Sequence, residues 1–131
     1  MKILGRHLLA EFADCDKSLL DNQELLETCL KEAARKSGAT IVNTVFHKYN
    51  PQGVSGIVVI AESHLSIHTW PEYGFASVDC FTCGTSVNPW KAISYLEDML
   101  HCNTLSVKEL NRGIPSDSDE IIAHKTSKAV A

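Results

Sequence analysis

Between residues 54 and 83 the sequence reads as three strands with almost nothing between them. Gly56-Ile57-Val58-Val59-Ile60 is the β-branched run of a buried strand. Residues 63–70 and 75–83 follow as two more, separated by the turn-like Pro71-Glu72-Tyr73-Gly74. Strands joined this tightly must pair antiparallel, because a parallel return needs a crossover of a dozen or more residues.

The flanks complete a sheet and supply its cover. Residues 3–12 read as a first strand, and Asp21-Asn22 caps a helix whose apolar stripe is Leu25, Leu26, Cys29, Leu30, Ala33 and Ala34. Ser37-Gly38 stops that helix, and a strand over 39–49 leads to the turn Asn50-Pro51-Gln52-Gly53. Asn88-Pro89 opens a second helix expected to place Trp90, Ile93, Leu96 and Leu100 on one face. A last strand over 104–110 precedes a stretch of Ser, Asp, Lys and Ala without apolar period. The order β-α-β-β-β-β-α-β predicts an α+β fold: a two-layer α/β sandwich, mostly antiparallel, with two helices on one face. Residues 1–111 form the single domain in this reading, and 112–131 a mobile tail.

The whole chain has 131 residues, room for one core. Its net charge of -4 argues against a nucleic-acid partner. No apolar run approaches the ~20 residues of a membrane helix, and the N-terminus carries charge too early for a signal peptide. A cytoplasmic location is expected. The five cysteines are then expected as thiols, not as a disulfide framework. Cys80-Phe81-Thr82-Cys83 lacks the second pair a structural zinc needs, and it reads as one core cysteine and one exposed one.

A polar stretch, Ala61-Glu62-Ser63-His64-Leu65-Ser66-Ile67-His68-Thr69-Trp70-Pro71-Glu72, continues the most apolar strand. Unpartnered burial of such groups is costly, so they are satisfied, solvated or used. Alternation puts His64, Ser66, His68 and Trp70 on one face, and Ser63, Leu65, Ile67 and Thr69 on the other. Leu65 and Ile67 suit the core, which leaves the histidines on the face away from the helices. His64 and His68 lie ~13 Å apart on a strand, too far to share a metal ion, so no metal is expected. A turn at 71–74 makes facing residue numbers sum to about 145. That brings Glu62-Ser63 to Cys83 at one end of the hairpin. His68 lies ~16 Å from Ser63 and on the other face, so the two can act together only across two copies of the chain.

Glu62-Ser63-His64, followed by His68-Thr69-Trp70-Pro71-Glu72 and by Cys83, closely resembles the short prokaryotic S-adenosylmethionine decarboxylases, pyruvoyl enzymes of polyamine synthesis. The resemblance runs from Gly5-Arg6-His7 through the second helix and fades in the tail. It implies self-cleavage between Glu62 and Ser63, the Ser63 hydroxyl converting the preceding amide to an ester. Elimination and hydrolysis would then leave a covalent pyruvoyl cofactor at residue 63, able to form a Schiff base with the substrate amine. The resemblance further implies His68 as the base in processing, Ser55 as a hydrogen-bond donor to the cyclic intermediate, and Cys83 as the proton donor in decarboxylation. Glu72 corresponds to the acid that binds the ribose, and Tyr49 stands where an aromatic, expected to be Phe, stacks on adenine. Trp70 and Glu11 are further pocket candidates.

The expected partners are S-adenosylmethionine and a second copy, in a homo-oligomer of processed protomers with active sites shared across the interface. Two other readings compete: a pyruvoyl decarboxylase for another amino acid, and an unprocessed α/β dimer that binds a small ligand. A serine hydrolase lacks support, because no G-x-S-x-G occurs.

Overall fold

A computed structural model describes residues 3–114. Six strands, β1 (Gly5–Ala13), β2 (Ile41–Lys48), β3 (Val54–Ile60), β4 (Ser63–Trp70), β5 (Phe75–Cys83) and β6 (Thr104–Arg112), form one sheet in the order β2-β3-β4-β5-β1-β6. Every neighbouring pair is antiparallel. The strands over 63–70 and 75–83 fall where the sequence put them, and their register, His64 opposite Phe81 and Trp70 opposite Phe75, carries the expected sum.

Two helices cover one face. Helix α2 (Gln23–Lys36) begins where the Asn22 side chain accepts from the Leu25 N–H at 3.1 Å, and it buries Leu26, Cys29, Leu30, Ala33 and Ala34. It ends at Gly38, whose φ of 93° is the left-handed conformation glycine adopts without strain. Helix α3 (Pro89–Met99) is capped by Asn88 and buries Ala92, Ile93 and Leu96. Against them the sheet sets Leu8, Ala10 and Phe12 of β1, Val58 and Ile60 of β3, Leu65 and Ile67 of β4, and Val78 and Cys80 of β5. Burial holds the Cys80 thiol up at about 12, so it stays protonated and behaves as a small apolar group.

Four features depart from the sequence reading. A short helix α1 (Lys17–Leu20), capped by Asp16, precedes α2. The buried hydroxyl of Thr69 locks it to the sheet by donating to the Leu20 carbonyl at 2.7 Å while accepting from the Val54 N–H at 2.9 Å. Trp90 is not on the buried face of α3: it is 42% exposed, and its indole N–H donates to Glu109. An indole at the first turn overhangs the sheet edge, and a surface carboxylate satisfies its one donor. Cys15 and Cys102 are joined as a disulfide, against the expectation of free thiols throughout. Finally, β6 carries through Arg112, which pairs with Gly5 and so belongs to the sheet; residues 115–131 of the expected tail lie outside the described residues. Among the described residues no helix is long and apolar enough to cross a membrane.

Candidate active site

The hairpin between β3 and β4 turns on Ala61 and Glu62, with Ile60 opposite Ser63. Glu62 has a φ of 71°, a left-handed conformation that costs a residue with a Cβ about 1–2 kcal/mol. Its carbonyl oxygen accepts from the Ser63 hydroxyl and, at 3.3 Å, from the Cys83 thiol. Ser63 Oγ and Cys83 Sγ are themselves 3.3 Å apart. Hydroxyl, thiol and the peptide carbonyl between residues 62 and 63 thus converge at one point, as the hairpin arithmetic required. The carbonyl carbon lies one C=O bond, about 1.2 Å, behind that oxygen, within reach of Ser63 Oγ.

The second group of candidates sits elsewhere on the sheet. Ser55 and His68 are direct partners across β3 and β4, and Ser55 Oγ is 2.8 Å from His68 Nδ1. The same transverse row continues through Ser77 of β5 to Glu11 of β1, where the Ser77 hydroxyl donates to Glu11 Oε2 at 2.6 Å. All four residues point to the face opposite the helices. His68, Ser55 and Ser66 line a cleft of about 390 Å³ there, with Val45, Ile57 and His64. Glu72, in a single 3-10 turn at Pro71–Tyr73, accepts from the Gln52 amide at 2.7 Å. Gln52 belongs to the loop that carries Tyr49. Asp21 pins that loop, accepting from the Gly53 N–H at 2.9 Å and pairing with Lys48 at 2.9 Å, and these contacts hold its carboxyl below the ordinary value. Tyr49 is half exposed and meets the His47 ring edge-on at 4.6 Å. Trp70 is 41% exposed, tilted against Phe75.

One chain therefore holds two separate groups of candidate residues. Glu62, Ser63 and Cys83 form the first; Ser55, His68 and Glu11 share a row of the open face, with Tyr49, Glu72 and Trp70 around its edge. The separation of Ser63 from His68, ~16 Å along an extended strand, is kept.

Sequence reasoning missed a third cluster between these groups. Asp79 Oδ2 lies 2.6 Å from His7 Nε2 and 3.1 Å from His64 Nε2, while the Ser66 hydroxyl donates to Oδ1. Burial alone would raise the Asp79 pKa, but hydrogen bonds from Ser66, His7 and His64 together hold it below its ordinary value. Two imidazoles and a carboxylate with their donor atoms within 4.8 Å of one another could in principle hold a metal. Arg112 argues otherwise. Its guanidinium, which has only donors, meets His7 Nδ1 at 2.8 Å. That puts the His7 proton on Nε2, where it bonds Asp79 and blocks the lone pair a metal would take. The signal that could have found it is the hairpin register, which sets Asp79 opposite Ser66 and so on the same face as His64.

Against known proteins, residues 6–113 match the family model described as S-adenosylmethionine decarboxylase. The chain is 60% identical over 113 residues to the S-adenosylmethionine decarboxylase proenzyme of Thermosipho melanesiensis, covering 86% of this chain and 87% of that one. It is 56% identical over 124 residues to the proenzyme of Thermotoga maritima, covering 90% and 95% respectively. The crystal structure of adenosylmethionine decarboxylase from Aquifex aeolicus superposes with a TM-score of 0.83 at 31% identity, covering 92% of this chain and all of that one.

Proposed function

The chain belongs to the S-adenosylmethionine decarboxylase family, its activity is the decarboxylation of S-adenosylmethionine, and from that premise we propose how its own residues carry the reaction. The observation that supports the reading most directly is the convergence of Ser63 Oγ and Cys83 Sγ on the Glu62 carbonyl.

Processing starts there. Ser63 Oγ attacks the Glu62 carbonyl carbon, the C–N bond breaks, and an ester replaces the amide while the nitrogen takes up the proton. The Cys83 thiol donates to the oxygen on which charge develops. The left-handed Glu62 backbone raises the starting state toward that step. His68 of a second copy then removes the Ser63 Cα proton, the Cβ–Oγ bond breaks, and Glu62 leaves as a carboxylate. Hydrolysis of the resulting dehydroalanine releases ammonia. The products are residues 1–62 and residues 63–131, the latter beginning with a pyruvoyl group.

His68 suits the role of base. If its Nδ1–H donates to Ser55 Oγ across 2.8 Å, the lone pair is left on Nε2 and the serine O–H remains free to donate to the intermediate. The pyruvoyl carbonyl supplies an electron sink for carbon dioxide loss. Around it, Cys83 delivers the proton to the substrate carbon, Glu72 accepts from the ribose hydroxyls, and Tyr49 stacks on the adenine and faces the sulfonium charge. Glu11 and Trp70 border the same pocket.

The second copy docks on the open face of the sheet. Two half-sites that cannot meet within one chain meet across a two-fold axis, and that face carries exposed Val45 and Leu110 beside its polar row. The deciding experiment is an intact mass spectrum of the protein denatured in reductant. Two fragments, the second with a blocked pyruvoyl end, are expected; a single chain after long incubation refutes the processing.

A further inference from the structure

Strands β1 and β6 pair in a constant register, from Gly5 opposite Arg112 to Ala13 opposite Thr104. Carried two residues beyond the last rung, that register sets Cys15 directly opposite Cys102. Backbone contacts hold the Cys15 segment in place. The Cys15 N–H donates to the Gly74 carbonyl at 2.9 Å, and the next N–H, of Asp16, donates to Leu100 at the end of α3 at 3.3 Å. The residues just before the cysteines, Asp14 and His101, both adopt left-handed φ values, 54° and 52°. The Cα atoms lie 4.1 Å apart, just below the usual range of about 4.4–6.8 Å and well inside the ~7 Å beyond which no bridge can close without moving the backbone.

We propose that the Cys15–Cys102 bridge covalently joins the two chains that self-cleavage produces, so that the processed protomer cannot come apart. This rests on cleavage between Glu62 and Ser63 as read above. Cys15 lies on the N-terminal side of that bond and Cys102 on the C-terminal side, 87 residues away in sequence. After the cut, β1, α1, α2, β2 and β3 belong to one chain, and β4, β5, α3 and β6 to the other. Strand β1 is inserted between β5 and β6 of the other chain, and the bridge clamps the end of that insertion. The bond forms by thiol–disulfide exchange with a small-molecule disulfide. Both cysteine thiols lose their protons, the sulfurs are oxidised to one S–S bond, and the two electrons reduce the small disulfide to two thiols. The other cysteines do not compete: Cys29 of α2 and Cys80 of β5 are buried in the core, and Cys83 faces Ser63.

The test equilibrates the purified protein with oxidised glutathione, alkylates free thiols with iodoacetamide during denaturation, and compares masses with and without reductant. One species of whole-protein composition without reductant, splitting into two chains with it, is expected. The Cys102→Ser variant should give two chains under both conditions. Two chains from the wild type without reductant overturn the bridge, as does a linked pair in Cys102→Ser. A single chain even in reductant means that processing failed, not the bridge. In that case the count of alkylated thiols decides: three uphold the Cys15–Cys102 bond, and five overturn it.

Discussion

If the site is divided between two copies, two inactive variants should rescue each other. Ser63→Ala removes the residue that is cleaved, and His68→Ala removes the base. Neither change should unfold the chain. His68 is exposed, and losing its one bond to Ser55 costs about 1 kcal/mol at most. Each variant alone lacks one element in every site. Co-expressed in equal amounts, half the dimers pair one variant with the other. In each such dimer the Ser63 of the His68→Ala chain meets the His68 of the Ser63→Ala chain, so one of its two sites is whole. The mixture should therefore reach roughly one quarter of the wild-type sites for a two-fold dimer. The assay is carbon dioxide release per protomer, together with cleavage of the His68→Ala chain, distinguished by a size tag. The two must come from different copies because ~16 Å of strand cannot be spanned by a hydrogen bond; activity no higher than the sum of the separate variants would refute the divided site.

Cys83→Ala should slow self-cleavage by roughly 10²-fold through loss of a donor to the scissile carbonyl, followed by the appearance of fragments on denaturing gels; unchanged kinetics would remove Cys83 from processing. Thr69→Val leaves the Leu20 carbonyl and the Val54 N–H buried without a partner, and should cost about 2–4 kcal/mol in urea unfolding at pH 7. Asp79 has a folded pKa held below its unfolded one, so its contribution is present above about pH 4 and is lost as pH falls through the folded value. Asp79→Asn should accordingly flatten the acid limb of stability, measured as the urea midpoint at pH 5 against pH 3; a limb as steep as the wild type's would show the carboxylate unlinked to folding.

Much of the candidate site's geometry could be read from the chain because its determinants are local. The alternation over 63–70 decides which side of the sheet His64, Ser66 and His68 occupy, and one short turn at Pro71–Gly74 sets the register that carries Cys83 to Ser63. Both depend on period and turn length, which neighbouring residues specify without help from the rest of the molecule. That same local geometry already separates Ser63 from His68.

Tertiary structure alone decided the contacts made across β1. Insertion of that strand between β5 and β6 brings His7 to Asp79, Glu11 to Ser77 and Arg112 to His7, pairs 72, 66 and 105 residues apart. It also sets Cys15 opposite Cys102 and turns a chain expected to hold only thiols into one with a bridge. The exposure of Trp90 followed from how α3 lies over the sheet edge, since an apolar stripe names the residues that can be buried and not how far the layer beneath them extends. The physical reason is the same in each case. A strand's own pattern states which face is apolar, but the neighbour it pairs with is chosen by how the whole sheet closes under its helices, a condition no short window of sequence contains.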